Sequence, residues 1–171
     1  MVMVAKLMAL SARTAPKAHG HDCVTVKVLA GDELALLAEG MVKYGGETGK
    51  INFDRDGENV RRSDAVLLIA LAENKKVGLN CGACGYDSCD LAVIREGSEF
   101  PGPLCAWRLM DIGIAVGSAV KTASILNADN RVMYRIGVVA RKMGIMEGQF
   151  IVGIPISAQS KNIYYDRPVG K

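Results

Sequence analysis

Four cysteines lie close together in this 171-residue chain. Three of them, Cys81, Cys84 and Cys89, share one glycine-rich stretch, and Cys105 follows after fifteen further residues. Four thiolates that converge on one point can bind a tetrahedral zinc ion or an iron–sulfur cluster. The C-x2-C-x4-C-x15-C spacing favours the cluster, because zinc sites more often combine two separate C-x2-C pairs. A zinc site remains one alternative, and inert or disulfide-forming cysteines remain the other.

Neighbouring residues would tune such a centre. Gly82 and Gly85 each follow a cysteine, so they can adopt a positive φ and turn backbone N–H groups toward sulfur. Hydrogen bonds to sulfur adjust the reduction potential of a cluster. Trp107 comes two residues after Cys105, and we expect it either to shield the centre from water or to pack beneath the loop.

Other residues with chemical potential are few. His19 and His21 can chelate a metal, but without a third ligand nearby they are more typical of ordinary loop residues. Cys23 precedes a predicted strand, so we expect a small buried side chain, with a redox-active thiol as the alternative. Arg108 either offsets the negative charge of a metal centre or pairs with Asp111 at i+3.

The composition excludes several classes of protein. The 21 Lys and Arg and 18 Asp and Glu give a net charge of only +3, and aromatic residues make up 5%, so nucleic acid is not an expected partner. A hydrophobic content of 50% excludes a disordered chain. No uncharged apolar run is long enough to span a membrane. An odd number of cysteines and the lack of a secretory signal predict a cytoplasmic protein without a disulfide framework.

The cysteine segment needs a scaffold, and the apolar patterns predict a single domain over residues 1–171 with a small sheet flanked by helices, of the α+β class. The predicted helices cover residues 3–14, 32–46, about 106–126 and about 131–143. The predicted strands cover residues 24–28, 65–71 and 150–156, of which the uncharged second strand should be buried on both faces. Residues 47–63 should form a loop and a short surface helix, residues 78–106 a cysteine-rich insertion, and residues 161–171 a polar tail.

The predicted long helix at 106–126 carries apolar residues nearly all round. Its expected buried stripe consists of Leu109, Ile112, Val116, Ala119, Val120 and Ala123. Gly113 and Gly117 are four residues apart and allow another backbone to approach closely. We therefore expect a homodimer through this helix. The alternative is an internal core helix, covered by the sheet and by residues 131–143.

The cysteine segment resembles a known module. The string Asn-Cys-Gly-Ala-Cys-Gly-Tyr-Asp-Ser-Cys at residues 80–89, with the later Cys105, is similar to the four-cysteine [4Fe–4S] domain of electron-transport and corrinoid-protein subunits of anaerobes. The resemblance covers about residues 78–106. It implies that one [4Fe–4S] cluster is held by four ligands, Cys81, Cys84, Cys89 and Cys105.

The remainder of the chain resembles flavin nitroreductases. Residues 12–18, Ala-Arg-Thr-Ala-Pro-Lys-Ala, are similar to an early Ala-Arg-x-Ala-Pro-Ser-Ala segment of that family, and residues 64–69, 111–116 and 152–156 resemble its central strand, long helix and last strand. Taken with the cysteines, the whole chain resembles an uncharacterised prokaryotic family of ferredoxin-domain-containing proteins. Its scaffold is expected to be nitroreductase-like, and the family's dimers imply the same dimerisation through the long helix.

The chain departs from the nitroreductase pattern where the FMN phosphate is usually bound. An earlier Arg-rich signature is missing, and Lys17 replaces the usual Ser. Arg13 and Lys17 are therefore the residues expected to bind the phosphate if FMN is a cofactor. The alternative is that both side chains are simply solvated.

Three functions follow from these patterns. The first is an electron-transfer protein that carries one [4Fe–4S] cluster and serves a redox partner protein. The second is an FMN-dependent reductase in which the cluster relays electrons to the flavin. The third is a structural or redox-sensing metal protein without turnover. If the protein is an enzyme, we expect an oxidoreductase.

Overall fold

A four-stranded antiparallel sheet forms the centre of the computed structural model, which describes residues 1–72 and 75–165. Its strands are β1 (Val24–Leu29), β2 (Ala65–Leu71), β3 (Asp129–Asn130) and β4 (Phe150–Ser157). Their spatial order is β1-β2-β4-β3, so β2 and β4 are the inner strands. The sequence predicted three of these strands, whereas the two-residue β3 is too short to leave a periodic pattern.

Helices cover both faces of the sheet. They are α1 (Val2–Thr14), α2 (Asp32–Thr48), α3 (Phe53–Arg61), α4 (Ala106–Ile125) and α5 (Tyr134–Lys142). Helices α1 and α4 pack against each other on one face, and α2, α3 and α5 cover the other. The α+β class with a small flanked sheet is therefore confirmed. None of the helices in the described part of the chain has the length and apolarity needed to cross a membrane.

Strand β2 separates two hydrophobic cores. Its odd-numbered residues, including Leu67 and Ile69, point toward α1 and α4. Its even-numbered residues, including Leu68, point toward α2 and α5. All seven residues of the strand are buried, which confirms that it is buried on both faces. Alternation along a strand is what allows one uncharged run to serve two cores.

Helix α2 continues through Gly45 and Gly46, where the sequence predicted its end. It ends at Gly49, whose φ of +69° provides the left-handed C-terminal cap. The glycine at position 45 has a packing role instead, since a β-carbon there would lie 2.8 Å from Cβ of Phe53. Glycine in this helix thus permits close packing of α3 rather than ending the helix.

The predicted surface helix within residues 47–63 is real, but it is not confined to the surface. Helix α3 buries five of its nine residues, among them Phe53 and Val60. Gly57 lets it approach α2 closely, because a β-carbon there would lie 3.0 Å from the carbonyl oxygen of Ala38. The polar composition of α3 suggested a surface helix, but its Asp56 is buried. The carboxylate can be buried because Arg135 of α5 forms an ion pair with it at 3.0 Å.

The buried stripe of α4 differs from the predicted one. Leu109 is 38% exposed, and Val116 and Val120 are only partly buried. Two charged residues, Arg108 and Asp111, are buried instead. The predicted positions Ile112, Ala119 and Ala123 are buried as expected.

The glycines of α4 face outward. Gly113 and Gly117 are exposed, and β-carbons built on them would meet no atom of the described chain within 4 Å. Neither glycine is therefore a small residue that packs within a core formed by the described residues. The homodimer predicted through this helix stays a prediction.

The tail is less polar than predicted. Ile163 and Tyr164 belong to the core that includes α2 and α5. The Tyr164 hydroxyl shares a 2.9 Å hydrogen bond with the Ser63 hydroxyl. The rest of the predicted polar tail, residues 166–171, lies outside the described residues.

Candidate metal centre

The cysteine segment joins β2 to α4 and is built from turns. Positive φ angles at Asn80, Gly82 and Gly85 produce its tight curvature. The Asn80 side-chain oxygen accepts a 2.8 Å hydrogen bond from the backbone N–H of Cys89. This bond ties the start of the cysteine loop to its end. Asn tolerates the left-handed region better than most residues, which suits it to this position.

The structure places all four clustered cysteines around one cavity. The cavity is small, about 10 Å³, and lies at the surface between the loop and the start of α4. Cys81 is exposed, the other three are half-buried, and none of the five cysteines of the chain is in a disulfide. Within residues 1–72 and 75–165, no three His, Cys, Asp or Glu side chains converge as the ligands of a single metal ion do.

The exposed Cys81 has the most distinctive surroundings of the four. Hydrogen bonding from the backbone at Ala83, and next from the Trp107 side chain, holds the pKa of Cys81 below its ordinary value. Hydrogen bonds to the thiolate favour the charged form. The thiolate is the form of cysteine that binds metals.

Cys105 lies at the N-terminal cap of α4. The unpaired N–H groups of a helix N-terminus carry partial positive charge, which stabilises an anionic group beside them. The long helix therefore presents its favourable end to the cavity. This position follows directly from the predicted helix start at residue 106.

A buried ion pair lies one turn further along α4. Arg108 donates to Asp111 at 2.9 Å, and both are 2% exposed. Arg108 also donates to the carbonyl oxygens of Lys75 at 2.8 Å and Ala18 at 3.2 Å. Of the two interpretations of Arg108, the i+3 pair is the one that the geometry supports. The pair links α4 to the strand-side end of the cysteine segment.

Cys23 joins the same network. Its thiol donates to Asp111 at 3.7 Å, and burial raises its pKa above the ordinary value. The expectation of a small buried side chain is confirmed, since Cys23 is 2% exposed. A neutral thiol in this environment is a poor nucleophile. Cys23 thus belongs to the scaffold, away from the four cysteines of the cavity.

Comparison with known proteins identifies the family to which the chain belongs. The chain is 44% identical over 167 residues to an "Uncharacterized protein" from Archaeoglobus fulgidus, which covers 96% of this chain and 90% of the relative. Residues 101–167 match the family described as "Uncharacterized protein containing a ferredoxin domain (DUF2148)". The chain belongs to this ferredoxin-domain family.

Solved structures show which fold the ferredoxin-domain protein adopts. It is similar to the FMN-dependent nitroreductase NfnB from Mycobacterium smegmatis in complex with NADPH, with a TM-score of 0.63, 12% identity, and coverage of 99% of this chain and 84% of that one. For the nitroreductase CinD from Lactococcus lactis in complex with 4-nitrophenol, the TM-score is 0.61 and the identity 13%, with coverage of 99% of this chain and 80% of that one. For a nitroreductase with bound FMN from Desulfitobacterium hafniense, the TM-score is 0.60 and the identity 12%, with coverage of 94% of this chain and 79% of that one. The nitroreductase-like fold is thereby confirmed.

Arg13 and Lys17, the predicted phosphate-binding pair, are both engaged within the ferredoxin-domain protein itself. Arg13 forms a 2.6 Å ion pair with Asp22, which holds the pKa of that carboxyl below its usual range. Lys17 donates at 2.9 Å to the carbonyl oxygens of Arg13 and Ala15, and its side chain is 7% exposed. A phosphate would have to compete with these contacts. The alternative, that both side chains are simply solvated, is wrong for Lys17, because its side chain is largely buried.

Two elements of the site escaped the sequence analysis. The bracing role of Asn80 was missed, although an Asn before a cysteine in a glycine-rich turn is a usable signal. The Arg13–Asp22 pair has no such signal, because its partners are nine positions apart in the chain and do not share a helix or strand. The histidine pair behaves as the sequence indicated in one respect, since His19 lies in a short turn at residues 18–20 with a φ of 56°.

Proposed function

We propose that this protein is an iron–sulfur redox protein that holds one [4Fe–4S] cluster on Cys81, Cys84, Cys89 and Cys105. The observation that carries the proposal is that these four thiols, from two separate stretches of chain, line a single cavity at the surface. Membership of a family described by a ferredoxin domain supports it. The fold, which resembles that of an FMN-dependent nitroreductase, is consistent with a redox function.

The chain's own residues supply what such a centre needs. A bound cluster would exchange one electron at a time. Four thiolates would ligate it, while the Ala83 N–H and the Trp107 side chain would stabilise the negative charge on the Cys81 sulfur. Asn80 holds the loop closed around the cysteines. Because the cavity is only about 10 Å³, the loop must widen to hold a cubane cluster. The space beside Gly82 and Gly85 is open, since β-carbons there would meet no atom within 4 Å.

The exposure of the site indicates how electrons would leave it. Cys81 is exposed, and the apolar residues Leu79, Tyr86 and Trp107 around the cavity are 50%, 37% and 38% exposed. Such an apolar rim next to a redox centre suits a transient contact with a redox partner protein. The proposal places the protein in the reducing cytoplasm, where its thiols stay available for metal.

Metal analysis of anaerobically purified protein tests this function. We expect about four iron atoms and about four acid-labile sulfides per chain, because four cysteines match the ligand count of a cubane. A Cys84→Ser variant should lose most of this iron, whereas a Cys23→Ser variant should retain it. Stoichiometric zinc without sulfide would overturn the redox function and leave the third candidate, a structural or sensing metal site.

A flavin-dependent reductase is the second candidate. What favours it is the fold, since similar structures are described as FMN-dependent or with bound FMN. The contacts of Arg13 and Lys17 within the chain weigh against a phosphate site at this pair. Native protein that releases stoichiometric FMN on denaturation, with retention reduced by Lys17→Met, would support the reductase. Protein that neither contains nor binds FMN at micromolar concentrations would exclude it.

A homodimer through α4 is part of the proposal. The outward face of this helix combines the exposed Met110 and Ile114 with Gly113 and Gly117, and no atom of the described chain occupies the space beside these glycines. Helix α1, which packs against α4, carries a further exposed apolar residue, Leu7. Exposed apolar surface of this kind favours burial against a second chain.

A further inference from the structure

Arg108 contacts both parts of the chain that supply the cysteines. It lies in the first turn of α4, three residues after Cys105, and is 2% exposed. Its Nε donates a 2.8 Å hydrogen bond to the carbonyl oxygen of Lys75. Lys75 is the first residue of the entry arm of the cysteine segment (residues 75–80), which leads directly to Cys81. The start of α4 is therefore joined to the base of the loop that carries the other three cysteines.

The entry arm depends on such contacts for its position. Residues 75–88 of the described chain belong to no helix or strand. The later part of the cysteine segment is joined to α5 by an exposed ion pair, in which Glu96 contacts Arg141 at 3.0 Å. For the entry arm, the bond from Arg108 to Lys75 spans 33 positions of sequence and is largely shielded from water. A segment without regular structure is held in place by long-range contacts of this kind.

The guanidinium is itself held in one orientation. Its Nη1 donates to Asp111 at 2.9 Å and to the carbonyl oxygen of Ala18 at 3.2 Å. Asp111 is fixed in turn, because its other carboxylate oxygen accepts a 2.8 Å hydrogen bond from the backbone N–H of Ala18. A planar guanidinium can serve separate acceptors at once, whereas a lysine ammonium has a single nitrogen. An ion pair alone would need only Asp111, so the bond to Lys75 is an additional contact.

We propose that Arg108 is a positioning residue of the metal centre, which fixes the entry arm against the start of α4 so that Cys81 and Cys105 can bind the same metal. This inference rests on the proposed function. Arg108 acts through the backbone of Lys75 and is not a ligand. Because the loop must widen around a cluster, its fixed point has to lie at the base, where Lys75 lies. Residues that orient metal ligands typically contribute about 10–100-fold to metal affinity.

Co²⁺ binding to the reduced, metal-free protein tests this role with two variants. Arg108→Lys keeps the positive charge but replaces the guanidinium by one nitrogen. Arg108→Met combined with Asp111→Leu removes both buried charges together with the bond to Lys75. Circular dichroism identifies the folded protein in each case. We expect both variants to bind Co²⁺ at least about tenfold more weakly than the wild type, with a weaker visible absorption from four-coordinate Co²⁺.

Arg135→Met is the matched control for the loss of a buried ion pair. Arg135 contacts Asp56, which is 1% exposed, at 3.0 Å on the opposite face of the sheet. This variant should lower the free energy of unfolding and leave the affinity for Co²⁺ at the wild-type value. Wild-type affinity in both Arg108 variants, or an equal loss of affinity in Arg135→Met, would overturn the inference.

Failure of the proposed function gives a different result. Anaerobically purified wild-type protein with zinc and no sulfide refutes the cluster, yet the comparison of Co²⁺ affinities still applies, because Arg108 would position the same thiolates for either metal. Weaker binding in the Arg108 variants then supports the positioning role without the cluster. A wild-type protein that binds no Co²⁺ overturns the inference.

Discussion

The guanidinium of Arg108 contacts the carboxylate of Asp111 at 2.9 Å in the interior, one helical turn beyond Cys105. The pair also holds the carbonyl of Lys75 and the backbone N–H of Ala18, so that α4, the turn after α1 and the start of the cysteine segment meet at one buried point. A buried ion pair of this kind brings little net stability over an apolar pair, but breaking it leaves an uncompensated charge.

Arg108→Met should therefore destabilise the protein by about 3–5 kcal/mol, measured by urea unfolding of the metal-free chain. The second substitution Asp111→Leu, made in the same chain, should recover part of this loss because no buried charge then remains. Glu58→Gln is the control, since it removes an exposed i,i+3 pair with Arg61 at 3.4 Å. It should cost less than about 1 kcal/mol. Equal effects for both sites would show that burial of the Arg108 pair does not matter.

Cys105→Ser should weaken metal retention while the main fold persists. The buried residues of both cores lie outside the cysteine segment, which adds only the partly buried Phe100 and Leu104 to their edges among the described residues. The substitution should therefore lower the iron content and leave the far-UV circular dichroism spectrum unchanged. Cys23→Ser, which leaves the cavity untouched, should preserve both. Global unfolding of Cys105→Ser would instead identify the metal centre as a folding element.

Gly117→Ala should weaken the proposed dimer while it stabilises the single chain. A β-carbon at Gly117 meets nothing in the described chain, so alanine should gain about 0.5–1 kcal/mol of helix stability. If a partner backbone approaches there, the same methyl group obstructs it. Sedimentation should show a wild-type species of about twice 18.2 kDa and a lower association constant for the variant.

Gly46→Ala is the matched control for this experiment, because Gly46 is an exposed glycine within α2 with equally open surroundings. It should gain similar helix stability without any effect on association. A wild-type mass near 18.2 kDa at all concentrations would contradict the dimer.

Tyr164 should make the protein less stable at high pH. Burial raises the pKa of its hydroxyl above the ordinary value of 10.0. Above about pH 10 the unfolded chain therefore loses this proton while the folded protein keeps it, so the free energy of unfolding falls as the pH rises. Tyr164→Phe should remove this part of the alkaline loss.

The same variant should cost about 1 kcal/mol at neutral pH, because the hydrogen bond with Ser63 is lost. Tyr165→Phe is the control, since that residue is 60% exposed. Unfolding curves for the three proteins between pH 7 and pH 11 provide the measurement. An alkaline slope that is the same for wild type and Tyr164→Phe would contradict the assignment.

Local patterns in the sequence were sufficient for most of the scaffold. The uncharged run of β2 predicted a strand buried on both faces, and the start of α4 at Ala106 followed from its apolar spacing. These features depend on residues that are neighbours along the chain, which is why periodicity reports them. The cysteine spacing likewise predicted one site for Cys81 and Cys105, and both residues line the same cavity.

The tertiary structure decided what happens to individual polar and apolar side chains. Arg108 is buried and Leu109 is exposed on the same helix, contrary to their hydrophobicity. Arg108 can be buried because carbonyls from distant segments, at Lys75 and Ala18, accept its hydrogen bonds. Lys17 is withdrawn from solvent by backbone carbonyls in the same way. The cost of burying a charge depends on partners that only the folded chain assembles, so no local pattern reveals it.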